Sequence, residues 1–109
     1  MKKENNQKKL VVLVEYRIQP TKINDAIAGL TKLIEKVTRE PHFVNIKLHT
    51  DVKDNSKILL YEVWNDENYY NTEHMQTIHL KEFIDDSRAF LAGPPIISQW
   101  KIENEFKPE

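Results

Sequence analysis

The sequence predicts an α+β fold of the ferredoxin-like type, in which β-α-β-β-α-β elements form a four-stranded antiparallel sheet with helices on one face. Two observations support this prediction. Four segments rich in β-branched and apolar residues have the length and alternation of strands. Two longer segments have apolar residues at three- and four-residue steps, as amphipathic helices do. A chain of 109 residues indicates one domain with one core.

The first strand and the first helix are separated by a clear change in pattern. Residues 10–18 are apolar and β-branched before they alternate, and Pro20 ends the run. Thr21 is the expected N-cap of the helix, and Pro41 prevents its continuation. The apolar stripe of this helix consists of Ile23, Ala26, Ile27, Leu30, Leu33, Ile34 and Val37.

Three more strands are predicted, at residues 43–51, 57–64 and 96–103. The polar residues 52–56 separate the first two of these, so the two strands are expected to form an antiparallel hairpin.

Two helical segments are predicted before the last strand. Asn65 or Asp66 can cap a short helix that ends near residue 72, and Thr77 can cap a longer helix over residues 78–91. Gly93 suits the left-handed position after a helix, and the two prolines that follow it stop the helix.

The first and third strands are apolar on both faces. Residues 10–14 and 58–60 are unbroken apolar runs, which is typical of strands that are buried on both sides. Helices cover one face only, so we expect a second sheet to cover the other, and a symmetric homodimer supplies one. The predicted domain spans residues 10–105, after a flexible N-terminal tail of residues 1–9.

The composition excludes several classes of partner. The net charge is −1 and the 30% of charged residues mix both signs, which argues against nucleic acid or an anionic membrane as a partner. No segment could span a bilayer, and no apolar signal-peptide core follows the basic N-terminal residues. There is no cysteine, hence no disulfide or thiol nucleophile, and the cytoplasm is the predicted location.

One stretch of the chain carries a family resemblance. A hydrophobic strand runs directly into an acidic helix start, two histidines bracket a break before the next helix, and a glycine-proline turn follows. These residues are Tyr61-Glu62-Val63-Trp64, Asp66, His74, His79, Phe83 and Ala92-Gly93-Pro94-Pro95. In this order the chain resembles the antibiotic biosynthesis monooxygenase family, and within it the quinol-monooxygenase-like members, which fold as a dimeric α/β barrel.

The resemblance implies a monooxygenase that works without a cofactor. In such members an electron-rich phenol or hydroquinone binds in an apolar cavity, loses a proton and then reduces O₂ directly. The protein supplies a dry pocket, a proton acceptor and a fixed orientation. The expected absence of flavin and nicotinamide agrees with the two glycines of the chain, Gly29 and Gly93, which cannot form a glycine-rich phosphate loop.

The resemblance also suggests which residues form the site. His74 is the predicted proton acceptor, because an imidazole titrates near neutral pH and this one lies at a helix break. The predicted substrate-binding residues are Trp64, Tyr16, Tyr61, His79 and Phe83. The expected role of His79 is local, through a hydrogen bond across the helix break.

Neither a metal nor haem is expected. His74 and His79 are five residues apart, whereas chelation on one helix needs a spacing of four. In the haem-degrading branch of the family three positions carry function, and here those positions hold Tyr16, Glu73 and Phe83, which all depart from the pattern.

The charged residues within and between the elements receive simpler interpretations. The carboxylates Glu35, Glu40, Asp85 and Asp86 fall among polar positions and are interpreted as solvated. Glu15 and Glu62 stand within strands, where Arg17 or Lys101 could meet either of them.

Two alternatives to the monooxygenase stay open. One is an isomerase of a small carbonyl metabolite that uses the same histidine as a base, and the other is a non-catalytic ligand-binding or stress-response dimer. A closed apolar cavity reached by His74 favours an enzyme, whereas a filled core with His74 in solvent favours the non-catalytic protein.

Overall fold

The computed structural model describes residues 9–109, so the predicted N-terminal tail lies outside the described residues except for Lys9. The elements in chain order are β1 (Leu10–Arg17), α1 (Ile23–Val37), β2 (Phe43–Thr50), β3 (Lys57–Trp64), α2 (Glu67–Asn71), α3 (Ile78–Asp86) and β4 (Ile96–Lys101). All strand pairs are antiparallel, and the strand order is β2-β3-β1-β4. This confirms the predicted ferredoxin-like fold.

One face of the sheet, here called the inner face, packs against the helices. The register pairs Leu10 with Trp64, Val12 with Glu62, and Val14 with Leu60, so these side chains share that face. Most of the buried core residues lie between this face and α1, α2 and α3. Glu62 is therefore a carboxylate on a core-facing position, and it forms no ion pair with Arg17 or Lys101.

The opposite face, here called the outer face, is also apolar. Its register pairs Val11 with Val63 and Leu13 with Tyr61, and on β4 it presents Ile96 and Trp100. Ile96 is 60% and Trp100 56% exposed. The chain after β4 crosses part of this face, where residues 102–106 and Tyr61 line a shallow depression. The two-sided apolarity predicted for β1 is thus present in the structure.

Helix α1 follows its predicted apolar stripe. Ala26, Leu30, Leu33 and Val37 are buried against the inner face. Gly29 allows a close approach, since a Cβ there would lie 3.1 Å from the Phe90 ring. The expected cap is wrong, because the N-cap position is occupied by Lys22 rather than Thr21, without a side-chain hydrogen bond.

The second half differs from the sequence expectations in three places, one of which is the last strand, which ends at Lys101 and not at the predicted residue 103. Asp66 caps α2 as predicted, since its side chain accepts a hydrogen bond from the Tyr69 backbone N–H at 2.9 Å. Helix α3 ends at Asp86 and continues only as one 3₁₀ turn, Ser87–Ala89, so it is shorter than the predicted 78–91. Gly93 does not have a positive φ, so the predicted left-handed cap is wrong.

A tight reversal joins α1 to β2 and carries a residue of the site. The helix ends at Val37, and Pro41 blocks its extension. His42 then takes a left-handed backbone conformation with φ of 69°, which is tolerated better by histidine than by most residues. The carbonyl of His42 accepts a hydrogen bond from the Asn65 N–H at 2.7 Å, which fastens the reversal to the end of β3. Glu40 lies within this reversal.

Candidate active site

A cavity of about 570 Å³ lies between the inner face and the helices. Its walls are mainly apolar, with Val14 and Leu60 from the sheet, Leu33 and Val37 from α1, and Phe83 from α3. Its polar side chains include Tyr16, Glu62, Tyr70 and His74. The largely exposed segment of residues 92–95 and the exposed Ile97 contribute to its rim. The combination of an apolar cavity with a few convergent polar groups is typical of small-molecule sites.

His74 reaches this cavity because the chain breaks between α2 and α3. It begins a single 3₁₀ turn, His74–Gln76, and the Thr77 hydroxyl donates to the His74 carbonyl at 2.8 Å. The His74 ring is stacked on the Tyr70 ring, with centroids 4.9 Å apart, and lies 4.7 Å from the Trp64 ring. His74 is 4% exposed, so these rings hold a buried imidazole in place.

A buried carboxylate, Glu40, binds the Nδ1 edge of this imidazole. The His74 Nδ1 lies 2.9 and 3.0 Å from the two Glu40 carboxylate oxygens. The same carboxylate accepts hydrogen bonds from the His79 Nε2 at 2.6 Å and the Tyr69 hydroxyl at 2.8 Å. The Glu40 side chain is only 5% exposed, so its interpretation as a solvated carboxylate is wrong.

This arrangement defines which nitrogen of His74 can act as a base. A carboxylate accepts hydrogen bonds, so Nδ1 carries the proton and Nε2 of the neutral ring is the acceptor. Nε2 has no hydrogen-bond partner among residues 9–109. Every fully buried side-chain nitrogen or oxygen in this part of the chain does have a partner, so Nε2 is not fully buried. Nε2 therefore opens on the cavity that His74 lines. Burial lowers the pKa of His74 despite the opposing effect of Glu40, which favours the neutral ring.

A second group of polar side chains also lines the cavity, with Tyr16 and Glu62 on the sheet and Tyr70 on α2. Glu62 is 6% exposed, and one of its oxygens accepts a hydrogen bond from the Trp64 Nε1 at 2.9 Å. Burial raises the pKa of Glu62 to about 7, outweighing the hydrogen bond from Trp64. Burial, and then the nearby Glu62, raise the pKa values of Tyr16 and Tyr70 well above the ordinary tyrosine value. Both hydroxyls therefore remain protonated donors.

The structure brings some of the predicted site residues together and separates others. His74, Tyr16 and Phe83 line the cavity. Trp64 is fully buried behind His74 and donates to Glu62, so it supports the cavity without lining it. Tyr61 lies on the outer face. His79 does not line the cavity, and its Nε2 bonds to Glu40 after α1 instead of making the expected hydrogen bond across the helix break.

Sequence reasoning missed Glu40 and gave Glu62 no role in the site. The signal for Glu62 was present, since a carboxylate alternating into the buried face of a strand is unusual. Glu40 gave no such signal, because a carboxylate just after an amphipathic helix is normally solvated. Only the reversal at Pro41 and His42 explains its burial. Among the described residues, no cluster of three His, Cys, Asp or Glu side chains could hold a metal ion.

Comparison with known proteins agrees with this architecture. The sequence model described as antibiotic biosynthesis monooxygenase matches residues 9–86, which cover the chain from before β1 to the end of α3. The chain belongs to the antibiotic biosynthesis monooxygenase family. Residues 96–101 lie beyond this match, and there β4 pairs with β1 in the same sheet.

Individual relatives support the fold of this family member. A conserved protein from Methanosarcina mazei superimposes with a TM-score of 0.82 at 18% identity, covering 88% of this chain and 94% of its own. A crystal structure of an antibiotic biosynthesis monooxygenase gives a TM-score of 0.79 at 22% identity, with coverage of 87% and 99%. An uncharacterised protein from Synechocystis is 29% identical over 85% of this chain, which spans 63% of that protein's length. Within residues 9–109, no helix has the length and apolarity that a membrane crossing requires.

Proposed function

We propose that this protein is a monooxygenase that oxidises a quinol-like aromatic molecule with O₂ and without a cofactor. The observation that carries the proposal is a buried His74 that lines an apolar cavity while Glu40 holds its Nδ1 at 2.9 Å, which leaves Nε2 as the acceptor. A proton acceptor in a dry pocket is what this chemistry needs from a protein. Membership of the family supports the reaction class.

The dimensions and lining of the cavity suit such a substrate. A volume of about 570 Å³ lies within the usual range for small-molecule sites and accommodates a one- or two-ring aromatic. Leu33, Val37, Leu60 and Phe83 would contact the faces of the rings, and the polar side chains would orient the oxygens. A ring held in this way meets His74 in a fixed orientation.

The proposed reaction starts with proton transfer from a substrate hydroxyl to the His74 Nε2. The resulting quinolate is a stronger reductant and passes electrons to O₂. One oxygen atom enters the ring as a hydroxyl and the other leaves as water. Oxidation of the quinol to a hydroxyquinone supplies all the electrons that O₂ takes up. The two quinol hydroxyl protons end in the water, and the displaced ring hydrogen ends on the new hydroxyl.

Oxygen uptake with a panel of hydroquinones and naphthoquinols tests the proposal. We expect turnover by the native protein to rise with pH through the pKa of His74, which lies below the ordinary value of about 6.5. His74→Ala should lower turnover by about 10²–10⁴-fold, the usual contribution of a positioned base. His79→Ala should cost far less, because His79 contacts Glu40 and not the cavity.

Both variants need an intact fold and the native oligomeric state for this comparison. Equal losses in the two variants would contradict the role given to His74. An absence of uptake by the native protein with every panel member would instead favour the isomerase or the non-catalytic binding protein.

A further inference from the structure

We propose that Glu62 is a second catalytic residue of this cavity, a protonated carboxylic acid that donates a hydrogen bond to an oxygen of the bound aromatic molecule. The hydroxyls of Tyr16, on β1, and of Tyr70, on α2, complete this donor site. The ligand class it recognises is a quinone or quinolate, whose oxygens accept hydrogen bonds. The inference rests on the proposed function for its catalytic meaning, but its binding chemistry can be tested alone.

The geometry of Glu62 leaves one oxygen free for a ligand. One oxygen is occupied by the Trp64 Nε1 at 2.9 Å. The other oxygen has no hydrogen-bond partner within residues 9–109. Since every fully buried side-chain nitrogen or oxygen there has a partner, this oxygen is not fully buried. Because Glu62 is 6% exposed and lines the cavity, the free oxygen faces the cavity. A buried carboxyl in this position is costly unless it is neutral or bound to a partner.

The surroundings of Glu62 favour its protonated form. On the sheet, its neighbours Val12 and Ile46 are apolar, so no cation from the flanking strands neutralises it. The other polar side chains that line the cavity are Tyr16 on β1, Tyr70 on α2, His74 at the helix break, and Ser87 and Arg88 after α3. Glu40 does not line the cavity, but its charge also disfavours ionisation of Glu62. Arg88 is 79% exposed and lies 3.7 Å from Asp85, so it offers little compensation.

The tyrosines have the same free donor capacity. Neither the Tyr16 nor the Tyr70 hydroxyl has a hydrogen-bond partner in the described part of the chain, and both residues line the cavity. Each is within electrostatic range of Glu62. The cavity therefore has three donors, two on the sheet and one on α2, whereas the neutral His74 offers an acceptor. This complementarity suits a molecule that gives up a proton at one oxygen and receives hydrogen bonds at another.

The donor site can be tested by the binding of 1,4-naphthoquinone, which has only acceptor oxygens and needs neither O₂ nor turnover. Quenching of tryptophan fluorescence reports its Kd. The competent, protonated fraction of Glu62 falls from about nine-tenths at pH 6 to about one-tenth at pH 8, given a pKa of about 7. The native protein should therefore bind the quinone about tenfold more weakly at pH 8 than at pH 6.

Three variants distinguish this role from a structural one. Glu62→Gln keeps a donor that does not ionise, so its Kd should be the same at both pH values. Glu62→Leu removes the donor and should bind weakly at both. The control Glu35→Gln alters an exposed carboxylate on α1 and should retain the pH dependence of the native protein.

Other results would overturn the inference. One is that the native protein does not bind the quinone, or binds it equally well at both pH values. Another is that Glu62→Gln keeps the native pH dependence. A third is that Glu62→Gln is folded but binds no quinone. Failure of the oxygen-uptake assay alone would refute the proposed function and leave this inference intact, because quinone binding is measured without turnover.

Discussion

Glu40 accepts hydrogen bonds from His74, His79 and Tyr69, which come from three separate segments of the chain. A buried carboxylate is tolerated when its oxygens are bonded in this way, and hydrogen bonds to a charged acceptor are stronger than neutral ones. Burial and the bond to Glu40 raise the pKa of Tyr69 to about 12, so this hydroxyl remains a donor. The orientation of the His74 ring therefore depends on Glu40.

The first residue-scale prediction concerns Glu40→Gln. An amide presents only one acceptor oxygen to three donors, and its NH₂ group opposes the ring N–H groups. We expect His74 to lose its fixed tautomer and turnover to fall by about 10²-fold. Nitrogen NMR of the imidazoles measures the tautomer directly. A native Nδ1–H signal for His74 in this variant would contradict the positioning role, whatever the loss of activity.

A second residue-scale prediction concerns stability and pH. Burial raises the pKa of Glu62 from its ordinary value of about 4.5 to about 7, so the folded state binds a proton that the unfolded state releases. The contribution of Glu62 to stability is complete below about pH 4.5 and is lost as pH rises through 7. Urea unfolding of the native protein should show this loss relative to Glu62→Gln, and parallel pH curves would contradict it.

At the scale of elements, the sequence predicted most of the fold because local patterns determine it. The stripe of α1 and the alternation of β2 are properties of single segments and were correct. The end of α3 was wrong, because residues 87–91 include apolar positions that continue the helical spacing, although the chain tightens into a 3₁₀ turn. Ser87 is buried there, and its hydroxyl donates to the Ile84 carbonyl, a local bond that periodicity does not reveal.

The site was less predictable than the fold, for a physical reason. His74, Tyr16 and Phe83 were predicted and line the cavity. Tyr16 and Phe83 lie on elements whose inward face can be inferred, and His74 was predicted from its place at the helix break. Glu40 is separated from His74 by 34 residues and becomes buried only through the reversal at His42. Tyr61 faces outward because the strand alternates, so its neighbour Glu62 takes the inward position. The resemblance identified the motif but not which of its side chains faces the cavity.

The prediction at this scale concerns the cap of α2, the helix that carries Tyr69 and Tyr70. Asp66→Ala removes the side chain that accepts from the Tyr69 N–H, and it should lower the free energy of unfolding by about 1 kcal/mol. Asp66→Asn retains an acceptor oxygen and should lose only a few tenths of a kcal/mol. Urea denaturation measures both, and equal losses in the two variants would show that the cap bond is not responsible.

The whole molecule is asymmetric about its sheet. Helices cover the inner face, while the outer face presents Leu13, Leu59, Ile96 and Trp100 with partial cover from the chain after β4. Apolar residues on an uncovered sheet face favour association, because burying them removes apolar surface from water. A second copy of the chain presents the same apolar face and could pack against it about a twofold axis.

The last prediction tests this association with two adjacent isoleucines of β4. Ile96 lies on the outer face opposite Glu15, and Ile97 lies on the inner face opposite Val14; they are 60% and 52% exposed. Light scattering of the native protein at micromolar concentration should give about twice the 12.9 kDa chain mass. Ile96→Glu places a charge in the proposed interface and should yield monomers, because an unpaired buried charge is costly. Ile97→Glu makes the same chemical change at a similar exposure and should remain dimeric. A native monomer, or dissociation caused by Ile97→Glu but not by Ile96→Glu, would exclude the outer face as the dimer interface.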